Sequence, residues 1–222
     1  MGHPYAPAEL QLPGYVPLQL SQSQILAPYL GTSLLLVLAI WLVSGRCRGL
    51  SKIDRLLMCW WAFTGLTHIV IEGTFVFAPG FFRKENPNYF DELWKEYSKG
   101  DSRYVARDTA TLTVEAITAV LEGPASLLAV YAIASHKSYS HILQFTVCLG
   151  QLYGCLVYFI TAYLDGFNFW GPRLCTSYSS LQLCSFKCHN LKGKGNSNQA
   201  SLKVLLVFCT AIVIPKEQRA VQ

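Results

Sequence analysis

No lysine or arginine occurs before Arg46. The opening segment, with Pro4, Pro7, Pro13 and Pro17, therefore lacks the basic start and cleavage site of a secretory signal peptide, and it reads as an ordered or loosely docked tail. The eight cysteines follow no regular spacing, so neither a disulfide framework nor a zinc site is legible. Cys184, Cys188 and His189 lack both the spacing of a haem attachment signature and a paired half-site. A zinc-binding HExxH helix, a glycine-rich phosphate loop and a nucleophile elbow are all missing, as is any internal repeat. The net charge of +5 is scattered over loops and tail rather than gathered on one helix face, which argues against a nucleic-acid partner.

What is present is apolar. Over half of the 222 residues, 52%, are hydrophobic, too many for an ordinary soluble core. Ile25 to Ser44 runs without an ionisable group for about the 20 residues a helix needs to cross a bilayer. Similar segments run from about Leu56 to Ala78, Leu112 to Ala134 and Ile142 to Leu164. The expected fold is all-α, a multi-pass transmembrane helix bundle with four clear spans. A fifth is doubtful: Val204 to Ile214 is apolar for only about 11 residues, short of a crossing unless the helix tilts or the bilayer thins. The chain divides into a tail (1–24), a membrane domain (25–169) and a C-terminal region (170–222) in which LKGKGNSNQAS reads as a flexible linker. Arg46, Arg48, Lys52 and Arg55 lie between the first two spans and, by the positive-inside rule, place that short loop in the cytosol and the N-terminus across the membrane. The loop from Phe81 to Asp108, rich in Tyr, Trp and charge pairs, is expected to cap the bundle.

Chemistry is expected inside the spans. His68 and Glu72 stand four residues apart in the second, on one helical face, with Trp61 and Thr64 earlier on the same stripe. Glu115, Thr118 and Glu122 follow a three-four rhythm in the third and are expected to share a face. An ionisable group at mid-bilayer costs roughly 2.5 to 3.5 kcal/mol on insertion scales, and such groups usually face a bundle interior and serve a function. The plainer reading is that His68, Glu72 and Glu115 merely glue helices together. Two helices carrying such groups favour a site. Glu122, next to Gly123 and Pro124, is equally readable as a solvated carboxylate near the interface. A buried carboxyl that stays protonated is a proton donor, and a nearby imidazole or second carboxyl can take a proton elsewhere. Proton transfer on an apolar substrate follows. Trp61 is a candidate to line the pocket, whereas Trp60 and Trp94 read as an interfacial aromatic belt.

Four blocks in order, GLTHIVIEGTFVF, LWKEYSKGDSRY, VEAITAVLEGP and QLYGCLVYFI, resemble the emopamil-binding protein family of sterol Δ8-Δ7 isomerases, and HPYAPAELQLPGYVP looks like its plant members. The resemblance covers roughly residues 1–169. It implies a five-helix bundle of the endoplasmic reticulum membrane with a sterol pocket open to the bilayer, working without cofactor or metal. Carried over residue by residue, it makes His68, Glu72, Glu115 and Thr118 catalytic and adds Tyr97, Asp101, Arg103 and Tyr104 as substrate-binding residues beside Trp61. The implied reaction protonates a sterol ring alkene at C9, forms a cation at C8 and removes a proton from C7. Cationic amphiphilic amines, which resemble that cation, are then implied inhibitors, and a homodimer is left open. One departure stands out. The family's fifth helix carries an Asn and a Trp, yet no Trp follows Trp170, and Asn190, Asn196 and Asn198 fall in the polar linker. A non-catalytic membrane protein that binds sterols or cationic amphiphiles is the competing reading.

Overall fold

A computed structural model describes residues 2–166. Within them the chain is helical, without strands, and four helices are long and apolar enough to cross a membrane. These are α1 (Gln22–Ser44), α2 (Lys52–Phe77), α5 (Thr109–Ala134) and α6 (Ser140–Leu164). Two short helices, α3 (Tyr89–Tyr97) and α4 (Arg103–Ala106), lie in the connection between α2 and α5. The apolar stretch from Val204 to Ile214, Cys184, Cys188 and His189 lie outside the described residues.

Each span begins earlier than its apolar run, and in α1, α2 and α5 the polar first turn is held by a side-chain cap, which α6 lacks. Ser21 and Gln24 cap each other reciprocally ahead of α1, and Ser51 and Asp54 do the same ahead of α2. Asp108 accepts from the Thr111 N–H at 2.8 Å ahead of α5. The helices differ in what they bury. α1 exposes Leu34, Leu35 and Leu42, the face of a helix turned to lipid, while α2 and α5 form the inner pair and bury far more of their length. α2 and α5 run antiparallel and approach closely at Gly65 and Gly123, where a Cβ added to Gly65 would stand 2.9 Å from the Gly123 carbonyl oxygen.

The aromatic connection caps the bundle as expected, and the N-terminal tail straps it down. Tyr5 is fully buried and donates to the Lys95 carbonyl at 3.2 Å. Val16 N–H donates to the Phe82 carbonyl at 2.9 Å, and the backbone N–H groups of Gln19 and Leu20 both donate to Glu92 Oε2, at 2.6 and 2.8 Å. The other Glu92 oxygen holds the wholly buried Lys95 at 2.9 Å. Arg107, left-handed at φ 57°, ends α4 and donates to the Phe75 and Val76 carbonyls, two of the carbonyls that the end of α2 leaves without helical partners. Trp94 is not an interfacial belt residue. It is buried between Phe75, Tyr104 and Tyr97, and its Nε1 donates to the Ile71 carbonyl and to Thr74 Oγ1, each at 3.1 Å. A loop aromatic with a helix end beneath it can bury its whole ring while its N–H finds a carbonyl.

Candidate active site

Both inner helices loosen where their polar residues sit. Thr67–Glu72 of α2 and Thr118–Glu122 of α5 are π-helical turns, and they pack against each other. A π turn accommodates an extra residue, re-aims the side chains around it, and occurs frequently at functional sites.

Across these turns runs a chain of hydrogen bonds. His68 Nδ1 lies 2.6 Å from Glu72 Oε2, and the amide nitrogen of Gln151, from α6, lies 3.2 Å from His68 Nε2. With the Gln151 N–H donating, Nε2 is the acceptor, and the ring proton sits on Nδ1 where it is given to Glu72. Thr118 Oγ1 makes a short hydrogen bond to the same Glu72 oxygen. Its single proton has another acceptor, the Glu115 carbonyl oxygen at 2.9 Å. The Thr118–Glu72 contact therefore accommodates a carboxylate that accepts or a carboxyl that donates. Glu115 Oε1 accepts from the Tyr104 hydroxyl at 2.5 Å. The side chains of His68, Glu72, Thr118, Glu115 and Tyr104 are buried, and that of Gln151 is partly exposed.

In the cap, Tyr104 stacks on Trp94 at 5.3 Å between ring centroids and meets Tyr97 edge-on at 4.7 Å. Burial, and then the Glu115 carboxyl beside them, push both phenols well above the ordinary tyrosine value, so each stays a hydroxyl donor.

The remaining residues singled out from the sequence fall into two other places. Asp101 and Arg103 bind each other, Nη2 to Oδ2 at 2.8 Å and Nε to Oδ1 at 3.1 Å. Tyr158 of α6 donates to Asp101, while Arg103 Nη1 donates to the Tyr158 carbonyl at 3.2 Å with its guanidinium over the Tyr158 ring. The pair ties the cap to α6 behind Tyr104. Trp61 lies two turns from His68, roughly 10 Å along the helix. It is completely buried among Met58, Ala129 and Val147 and donates to Gln144 Oε1 at 3.0 Å. A cleft of about 410 Å³ opens beside the π turn of α2, between Ile69, Gly73 and Phe77 on one side and Phe81, Phe90 and Trp94 on the other. Its polar members are Thr74, Asn88 and Asp91, and none of His68, Glu72 and Glu115 lines it. Among the described residues no group of three or more His, Cys, Asp or Glu side chains is placed to hold a metal ion.

Three residues that the sequence left without a role join the site. Gln151 sets the His68 tautomer and Tyr158 holds Asp101; an amide and a phenol inside an apolar span were the available signal. Glu122, equally readable as solvated, is only 8% exposed.

A helical bundle that buries an imidazole, two carboxyls, a hydroxyl and a phenol in contact is a multi-pass membrane protein with an intramembrane ionisable centre. The chain belongs to the EXPERA family (EXPanded EBP superfamily), which it matches over residues 89–212. It is 85% identical over 169 residues to a "Probable 3-beta-hydroxysteroid-Delta(8),Delta(7)-isomerase" of Oryza sativa subsp. japonica, an alignment covering 76% of this chain and 77% of that protein. It is 42% identical over 168 residues to the "3-beta-hydroxysteroid-Delta(8),Delta(7)-isomerase" of Cavia porcellus, covering 75% and 73%. A "Protoglabretal synthase" of Ailanthus altissima is 49% identical over 168 residues, covering 75% and 77%. The family match runs on past Phe169, where the resemblance read from the sequence stops, into residues outside the described ones.

Proposed function

We propose that this chain is a 3β-hydroxysteroid Δ8,Δ7-isomerase of the endoplasmic reticulum membrane, with His68, Glu72, Glu115 and Thr118 as its catalytic residues. The observation that carries the reading is the continuous contact from His68 through Glu72 and Thr118 to Glu115 and, in the cap, Tyr104, all of it buried. The rice and guinea-pig relatives named as isomerases support it.

Glu72 and Glu115 are both buried and are linked through Thr118, and two carboxyls so placed in an apolar site do not both hold a negative charge at low energy, so in this reading the pair carries a proton. That proton is given to C9 of the sterol alkene, leaving a cation at C8. Loss of the C7 proton to the His68–Glu72 pair then forms the Δ7 double bond. One proton is given and one is taken back, so the composition of the sterol is unchanged and no oxidant or reductant is consumed. Glu72, Glu115 and the faces of Trp94, Tyr97 and Tyr104 supply negative potential to the cation, and a protonated amphipathic amine would be held by the same groups. Tyr97, Tyr104, Asp101 and Arg103 shape the cap side of the substrate site in this reading, and Trp61 its far wall.

The test is expression of this chain in a yeast strain lacking its own Δ8-Δ7 isomerase, with sterols analysed by gas chromatography and mass spectrometry. Δ7 sterols are the expected outcome. A second reading, a non-catalytic binder of sterols or cationic amphiphiles, is favoured by one observation: the rice alignment leaves about a quarter of that protein's length unmatched. Persistent Δ8 sterols, with the chain present in the membrane and a relative carrying the family's fifth helix converting normally, would establish that second reading instead.

A further inference from the structure

We propose that Glu122 is a positioning residue, a second carboxylate that balances the positive charge of His68 during turnover; the role in turnover rests on the isomerase reading. Glu122 closes the π turn of α5 and points away from the Glu72 contact, toward α6. A Cβ added to Gly150 of α6 would collide with its carboxyl, so this glycine leaves the recess the carboxyl occupies. The residue after Gly150 is Gln151, whose amide nitrogen approaches His68 Nε2. The residue after Glu122 is Gly123, where an added Cβ would stand 3.2 Å from His68 Cβ. Glu122 is thus held on the Gln151 side of the imidazole, within electrostatic reach of it, while Glu72 occupies the Nδ1 side.

Helix glue does not account for this residue. A gluing carboxyl would be fully bonded, and Glu122 Oε2 is buried without a hydrogen-bond partner among the described residues. A neutral side chain there would avoid the desolvation that a carboxylate suffers. The need for charge arises when His68 takes up a proton. Nε2 then becomes a donor, the Gln151 N–H can no longer bond to it, and the amide must present its oxygen. A negative group on that side balances the ring charge without taking part in bond making.

Glu122→Gln keeps the shape and removes the charge; Glu122→Leu removes both charge and hydrogen bonding. In membranes of yeast lacking the isomerase, both variants are expected to lower kcat roughly ten- to a hundredfold, with KM within about twofold and protein levels unchanged. Gly150→Ala, which displaces the carboxyl rather than deleting it, is expected to lower kcat by less. Normal kcat in Glu122→Gln, with loss only in Glu122→Leu, would show a space-filling role and overturn the inference. If the unsubstituted chain converts no sterol, the isomerase reading falls, and the charge role is read from binding. The preference for a tertiary amine over its neutral carbon isostere is then expected to drop by about threefold or more in Glu122→Gln. An unchanged preference would overturn it.

Discussion

Thr118 has one proton and two oxygen neighbours that want it, the Glu72 carboxyl and the Glu115 carbonyl. Removing its hydroxyl with Thr118→Val should therefore break the link between the helices without emptying space. The expected outcome is a fall in kcat of roughly a hundredfold, with stability in detergent changed by only about 1 kcal/mol, the worth of one hydrogen bond. Single-turnover assays and thermal scans on the same preparation check both halves. Glu72→Gln or Glu115→Gln should abolish isomerisation while leaving insertion intact, and near-normal turnover in both would remove the proton-transfer reading. His68, Glu72, Glu115 and Thr118 were legible because a charged or hydroxyl residue in an apolar run has few reasons to be there, and three-four spacing fixes its face. Their bonding order was not. Whether Glu72 meets His68, Thr118 or both depends on how two helices cross, which no single stretch of sequence encodes. The cap phenols add a pH dependence. Tyr97 and Tyr104 keep their protons in the folded protein at pH values where an unfolded tyrosine, at about 10, has lost its own. The folded state then binds more protons than the unfolded one, so this part of the stability is full below about pH 10 and is lost as pH rises above it. Thermal midpoints measured from pH 8 to 11 should hold steady and then fall, and a midpoint that climbs above pH 10 would contradict the buried placement.

At the scale of elements, the spans were readable to within a few residues and always too short at the N-terminal end. Hydropathy sees only the apolar run, whereas Ser21, Ser51 and Asp108 start their helices in polar turns beyond it. The π turns were invisible, since nothing in THIVIE or TAVLE distinguishes a π turn from an α turn and the extra residue is absorbed in backbone geometry. Their effect is specific: Glu115 and Thr118 stay on the α2 side while Glu122 turns to α6, where an unbroken rhythm would have kept all three on one stripe. The close crossing at Gly65 and Gly123 is what brings the two π turns together. Gly65→Val would put a side chain against the Gly123 carbonyl and Leu127, forcing the helices apart. Overpacking of this kind costs about 1 to 3 kcal/mol, and a separation of even 1 Å at Thr118 and Glu72 is enough to cost about a hundredfold in rate. The expected result is a lower thermal midpoint together with lost turnover; a destabilised but fully active variant would mean that the crossing does not set the site.

For the whole molecule, the order of spans and the contacts between connections agree on which ends share a side. The tail precedes one crossing and the aromatic cap follows two, so both lie at the same bundle end, where Tyr5 reaches Lys95 and Gln19 reaches Glu92. The α1–α2 and α5–α6 turns lie at the other, where the His136 ring nitrogen meets the Arg48 carbonyl at 2.9 Å. Arg46, Arg48, Lys52 and Arg55 cluster at that second end, and the positive-inside rule assigns it to the cytosol. The cap connection carries six Lys and Arg of its own, of which Lys84, Lys95, Lys99 and Arg103 are each engaged by an acid, so the side is decided by labelling. Cys47, in the α1–α2 turn and partly exposed, provides a native probe. With every other cysteine replaced, Cys47 in intact microsomes should react with a membrane-impermeant maleimide before detergent is added. A lone cysteine introduced as Gly2→Cys should react only afterwards. The reverse pattern would invert the protein in its membrane while keeping tail and cap together. Labelling of both positions from the same side would be incompatible with α1 crossing the bilayer, and with it the packing of the tail over the site.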